Sequence, residues 1–450
     1  MSHHWWRASM HGGSGAVLTA APEGSAARGG AVAFSALMAF VVISLIAPQT
    51  FVPALASVRP ALLTAVVAIV TLLASRLVER RPLVASTRET RVAAALAGWA
   101  IATAPFSAWP GGSVTFLLDT YFKTLAVFWL LGIVIDTRAR LRLVAWTLSL
   151  TAIPLAVTGV RNYLAGTFVP DGGHVGVKRI LGYDAPLTEN PNDLALMLNL
   201  ILPLTVALLF IQRRRSLRLL LAGAVLVDVL AVIVTLSRAG FLTLATAVVL
   251  YCWRLGQRAE RGWAVVAMIL TLAAIPFLPS GYLDRLGTVA SIDSDPTGSA
   301  QARWTDTVAA ATFVLAHPIV GAGVGMNVLA LNAERGPSWK AVHNVYLELA
   351  VELGLPGLSL FLLLLLGAIR RVGLVRRRAA GDPGARDLFH LAEGLQVSLV
   401  AFAVAALFHP VAYHFYFYEL AGLAVAMQAV SRAPAPTSEG DPRIRASFPP

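Results

Sequence analysis

The sequence predicts an all-α polytopic membrane protein with about twelve transmembrane helices and one large outward loop containing short helices. Three observations carry that reading. Of the 450 residues, 57% are hydrophobic and only 13% charged, with a mean hydropathy of +0.70; soluble domains average about 45–50% and about 25%. Apolar runs approaching the roughly 20 residues that a spanning helix needs recur along the whole chain. The 36 basic residues, all arginine except Lys123, Lys178 and Lys340, gather on alternate connections. So little charge cannot cover a soluble surface of this size. That excludes a cytosolic enzyme, a disordered chain and an ordinary nucleic-acid binder.

Residues 1–30 are rich in Gly, Ser and Ala and lack an apolar run beside the first Met. They predict a disordered cytoplasmic tail and not a signal peptide. Spans are predicted over about 31–47, 60–75, 92–108, 114–135, 141–160, 193–211, 217–236, 239–255 and 262–279, with a loop at 161–192. A large loop over 280–344 follows. Three further spans, 345–369, 390–408 and 411–430, fill 345–430. Residues 431–450, with APAP and a terminal PP, predict a second disordered cytoplasmic tail.

Arginine placement sets the orientation. With the N-terminus in the cytoplasm, about three quarters of the basic residues fall in inside segments, as the positive-inside rule requires. The formal net charge of +12 is thus a topology signal, and no nucleic-acid partner is needed to explain it. Inside loops are short; the two long loops, 161–192 and 280–344, face outward, and loops of that length usually carry function. A single cysteine, Cys252, excludes a disulfide framework, and no Cys/His cluster marks a metal site.

Within the second loop, Ser299 can cap a helix that stops at His317-Pro318. Arg303, Asp306, Ala310 and Phe313 share one of its faces. An amphipathic helix lying on the membrane, with Arg303 paired to Asp306 or to lipid phosphate, accounts for this equally well. Gly321 to Gly325 read GAGVG. Without a preceding strand this is no dinucleotide fingerprint, and the glycines predict a tight turn against another backbone. His343 and Asn344 stand where the chain re-enters the membrane, followed by Glu348 and Glu352. Acidic residues in a span are functional candidates, whereas a lone interfacial histidine is as readily an incidental polar tip.

Ser237-Arg238-Ala239-Gly240 joins two apolar helices and places Arg238 at the outer boundary, against the charge bias. A snorkelling arginine is the bland alternative. Asn190, Asn192 and Asp193 form a polar turn that can cap the next helix. Arg161, at the start of the first loop, is another outward arginine. His409 and His414, five apart around a proline-containing turn, read as interfacial.

In order, the chain shows NPND before a helix, SRAG after the next, Arg303-Trp304 in a loop helix, HPIVGAGVG, and HNVYLELAVELGLPG. These motifs together resemble the O-antigen ligase / O-antigen polymerase superfamily from about residue 185 to 360. The resemblance implies a metal-independent glycosyltransferase with no cofactor, multi-pass in the bacterial inner membrane and acting on its periplasmic face. It implies an undecaprenyl-diphosphate-linked glycan as donor, in contact with membrane lipid, and lipid A–core, a second glycan or a protein hydroxyl as acceptor. By matching motifs, Arg238 and Arg303 would hold the diphosphate and His343 would act as the catalytic base. Arg161, Asn190 and Asn344 are further substrate-binding candidates.

The chemistry agrees from below. A departing diphosphate gathers negative charge that arginine can meet, and a sugar hydroxyl gains from a positioned base. A lipid-linked sugar transporter or flippase would use the same cationic vestibule. It should also show an internal repeat and paired interrupted helices, which the sequence lacks. A non-enzymatic scaffold of an envelope complex is the third class.

Overall fold

The structure, a computed structural model, describes residues 23–169, 179–258, a few positions between 261 and 269, 298–336 and 338–432. Thirteen principal helices run through them: α1 Glu23–Ile46, α2 Pro60–Val78, α3 Arg88–Thr103, α4 Pro110–Val134, α5 Arg138–Leu164, α6 Pro191–Ile211, α7 Arg215–Val234, α8 Arg238–Gly256, α9 Ser299–Ala316, α10 Asn327–Arg335, α11 Val345–Ala379, α12 Arg386–Ala405 and α13 Phe415–Arg432. Among the described residues, eight helices are long and apolar enough to cross a membrane, and α1 adds a shorter apolar stretch, Gly30–Ile46. Each predicted span falls on a helix except 262–279, which lies largely outside the described residues. Helix α1 begins at Glu23, so the last residues expected in the N-terminal tail are helical.

Short polar side chains start the helices. Thr87 and Thr90 form a reciprocal cap on α3, each hydroxyl accepting the other's backbone N–H at 3.1 Å. Thr137 caps α5, Asn190 caps α6, Ser237 caps α8 and Asn344 caps α11. Each satisfies N–H groups that would otherwise face an apolar surround.

Helix α6 lies at the centre and packs along α12, with α4 against α13, α5 against α7, and α11 between α3 and α12. Helix α2, on the edge beside α1, leaves most of its apolar surface exposed. Hydroxyls tie the central helices together: Ser398 Oγ donates to Leu200 O at 2.7 Å, and Thr205 Oγ1 to Ser149 Oγ at 2.9 Å. Such small polar contacts replace a hydrophobic driving force that lipid cannot supply.

Helix α11, where a span over 345–369 was expected, is longer and broken. Gly354 adopts φ 65°, ψ −174°, and Pro356 follows. The break strands three carbonyls, those of Val351, Glu352 and Leu353, and a membrane offers them no water. All three find donors elsewhere. Ala322 N reaches Val351 O at 2.7 Å, Gly323 N reaches Glu352 O at 2.8 Å, and the Trp99 indole Nε1 reaches Leu353 O at 2.8 Å. The Leu355 N–H donates in turn to Pro318 O at 2.8 Å.

The GAGVG loop is therefore the partner of the break. Gly321 and Gly323 sit at φ 71° and 93°, and a Cβ on Gly323 would stand 1.9 Å from Ser107 Cβ. The tight turn and close backbone approach read from the sequence are both present.

Candidate active site

Arg238, Arg303 and His343 line one cavity of about 240 Å³, together with Trp304, Thr307, Asn344 and Phe408. They come from three elements: the first residue of α8, the second turn of α9, and the segment leading into α11. Each is held by a different set of contacts.

Arg238 rides on the SRAG turn. Leu236 takes a left-handed conformation, φ 54°, which turns the chain sharply enough to join α7 to α8 without a loop. Ser237 Oγ accepts Gly240 N–H at 3.1 Å and donates to Asn192 Oδ1 at 2.8 Å. Asn192 Oδ1 also receives Arg179 Nη2 at 2.8 Å, and Asn199 Nδ2 donates to Gly240 O at 2.9 Å. The NPND motif thus holds the SRAG turn, through Asn192.

Asn190 has a different place. It is exposed and caps α6, accepting Asn192 N–H at 2.8 Å. Arg161 is exposed near the end of α5. Neither belongs to the cavity lining.

Arg303 is carried by α9, whose N-cap is Gly298 (φ 64°) where Ser299 was expected. Ala309, Ala310 and Phe313 pack against Leu331 of α10 and Val351 of α11. The helix therefore docks on protein through its apolar face. Asp306, which helical spacing offers as a partner for Arg303, forms its ion pair with Arg335.

His343 is fixed from both sides. Val342 N–H donates to Asn327 Oδ1 at 3.2 Å. Asn344 Oδ1 accepts the N–H groups of Tyr346 and Leu347 at 2.9 and 3.2 Å, and Val345 N–H donates to Ala406 O at 2.8 Å. The His343 Nδ1 is buried and has no hydrogen-bond partner. Burial first, then the Arg303 charge, pushes the imidazole down from its usual value to about 4, with the Ala341 carbonyl opposing. The ring is neutral at any ordinary pH.

His409, read as interfacial, is in fact buried. Its Nδ1 lies 3.0 Å from Ala405 O and its Nε2 3.4 Å from Asn192 O. Burial and the Arg303 charge lower its pKa as well, against those two carbonyls. It links the end of α12 to the NPND turn at the start of α6, whose Asn192 side chain holds the turn that carries Arg238. A spacing of five from His414 gave no hint of this, because the distant partner, Asn192 O, is a backbone atom 217 positions away in sequence. Glu352, flagged as an acid within a span, is fully buried and binds the loop: its carboxylate accepts Gly325 N–H at 2.7 Å and Asn327 N–H at 3.0 Å.

Two guanidinium groups and a neutral imidazole around one small cavity can bind a phosphate ester and accept a proton beside it. Residues 223–362 match the family model described as O-antigen ligase. That segment, which is similar to the O-antigen ligase family, carries Arg238, Arg303 and His343. A chain from the structure described as "Structural coordination of polymerization and crosslinking by a peptidoglycan synthase complex" aligns with a TM-score of 0.41 at 17% identity, over 76% of this chain and 96% of that one. No curated protein matches.

Proposed function

We propose that the chain is a glycosyltransferase that moves a glycan from undecaprenyl diphosphate to an acceptor hydroxyl, on the periplasmic face of the bacterial inner membrane. The observation that supports it is the meeting of Arg238, Arg303 and His343 at one cavity. In this reading the two arginines grip the diphosphate. As the anomeric C–O bond breaks, its electron pair passes to the diphosphate, and guanidinium groups stabilise that charge more in the transition state than before it.

The acceptor oxygen forms the new bond to the anomeric carbon and gives its proton to the neutral imidazole of His343. Lipid A–core, a second lipid-linked glycan or a protein hydroxyl would each present such an oxygen. The arginine bias of the connections supports an outward-facing cavity. A carrier of lipid-linked sugars needs the cationic grip but not the base, so His343 beside the two arginines favours transfer.

The test is transfer by purified protein from a synthetic undecaprenyl-diphosphate-linked glycan to an acceptor, with surface polysaccharide analysed in a deletion strain. Movement of the intact donor between leaflets without glycosidic cleavage would sink the reading.

A further inference from the structure

The arginine-rich end of the bundle holds a second and larger cavity, about 630 Å³, where α8 and α11 end and α12 begins. Arg238 and Arg254 stand at opposite ends of α8, about 24 Å apart at 1.5 Å per residue. The walls carry five arginines, Arg254, Arg258, Arg376, Arg377 and Arg386, and one carboxylate, Asp382. Asp382 is already engaged, accepting Gly384 N–H at 2.9 Å.

Behind the wall lies Glu393, almost fully buried. Arg258 grips it with both terminal nitrogens, Nη1 reaching Oε2 at 2.9 Å; Arg376 Nη1 lies 3.6 Å and Arg254 Nη1 3.9 Å from Oε1. The bland account is that a buried carboxylate needs a countercharge. Arg254 also donates to Gln396 Oε1 at 2.9 Å and Arg386 to Phe210 O at 3.2 Å, but one carboxylate does not neutralise the three guanidinium groups gathered around it. The Nε atoms of Arg254 and Arg376 are buried and have no hydrogen-bond partner, and the Arg254 side chain is only 8% exposed. A buried surplus of guanidinium charge with unused donors is costly unless an anion completes it.

We infer that this cavity binds the phosphate of an anionic phospholipid headgroup, taken from the surrounding leaflet. The wall chemistry selects phosphate, because planar guanidinium groups match its oxygens in pairs. The approach selects a lipid. Gln257 lines the cavity, and Trp253 and Val249 precede it at four-residue steps, 62% and 64% exposed. One stripe of α8 thus leads from the cavity along an open apolar track for an acyl chain. Phe389, with the Arg258 guanidinium 4.7 Å above its ring centroid, supplies an apolar wall.

The experiment is native mass spectrometry of the purified full chain with phosphatidylglycerol or phosphatidylcholine added, and inorganic phosphate as a soluble competitor. Phosphatidylglycerol should be retained one to one at about tenfold lower concentration than phosphatidylcholine, and millimolar phosphate should not displace it. Arg376→Gln together with Arg377→Gln should weaken retention by about tenfold or more, the effect of losing charge-assisted contacts. Glu393→Gln should keep or strengthen it, because a competing carboxylate is gone. Where the double variant does not fold, Arg386→Gln carries the same expectation. Equal retention of the two lipids, displacement by phosphate, or unchanged retention in the arginine variants would overturn the inference.

Discussion

The buried carboxylate of Glu352 holds Asn327 twice, through its backbone N–H at 3.0 Å and its side-chain Nδ2 at 2.6 Å. The other end of the Asn327 amide takes the Val342 N–H at 3.2 Å, one residue before His343. A chain of three hydrogen bonds therefore runs from the broken helix to the segment that carries the imidazole. Asn327→Leu should lower transfer by about 10–100-fold while donor affinity changes little. A buried acceptor left without its donor also costs about 1–3 kcal/mol of stability. Steady-state kinetics beside thermal unfolding in detergent separates the two effects. Asn327→Asp keeps an acceptor for Val342 but sets a second carboxylate against Glu352, so it should recover only part of the rate.

His343→Ala should reduce transfer by about 10²–10⁴-fold, the usual worth of a positioned base. Insertion and donor binding should persist, as measured by yield and by retention of radiolabelled donor. A variant that still transfers at the full rate would remove the base from the mechanism.

The pH profile follows from the lowered pKa. The imidazole must be neutral to accept a proton, and burial with the Arg303 charge sets its midpoint at about 4. Activity should stay level from neutral pH down to about pH 5 and halve near pH 4. An unperturbed histidine would instead lose half its activity near pH 6.5. Arg303→Gln should move the midpoint upward, because one of the two main causes of the shift is removed.

Lysine should replace arginine poorly at 238 and at 303. It keeps the charge and loses the paired N–H groups that match a diphosphate. Donor titrations should show an apparent KM raised by about tenfold or more in either lysine variant, with alanine worse.

Gly323→Ala tests the docking of the glycine loop. Its φ of 93° and a Ser107 Cβ only 1.9 Å from where the added methyl would stand leave no room. Loss of about 1–3 kcal/mol of stability is expected from the backbone conformation alone, seen as a lower unfolding midpoint, with activity reduced through Glu352 and Asn327.

Much of this molecule was legible as sequence because its signals are local. Apolar length marks spans, arginine marks one end, and Asn190 announces a helix start within two residues of the N–H it caps. Arg303 and His343 are singled out as site candidates by matching motifs, because their residue types and spacing alone fit a surface helix and an incidental polar tip equally well. What sequence could not convey is pairing across distance. Asn192 rather than Asn190 contacts the SRAG turn, Arg335 takes Asp306, and His409 is buried against a backbone carbonyl 217 positions away. The break in α11 was masked by high hydropathy on both sides of Gly354, and only the donors that repair it reveal why it is tolerated.

The indole of Trp99, sealing the Leu353 carbonyl, ties the first third of the chain to the break in α11. Trp99 is made early and waits through 254 residues of chain for its acceptor. The segment after Asn344 needs a further partner, Ala406, and Glu348 accepts the N–H of Ala412 at 3.1 Å. The contacts that follow His343 are therefore complete only when the chain as far as Ala412 is in place, and on the proposed reading full transfer activity should need the whole of that length.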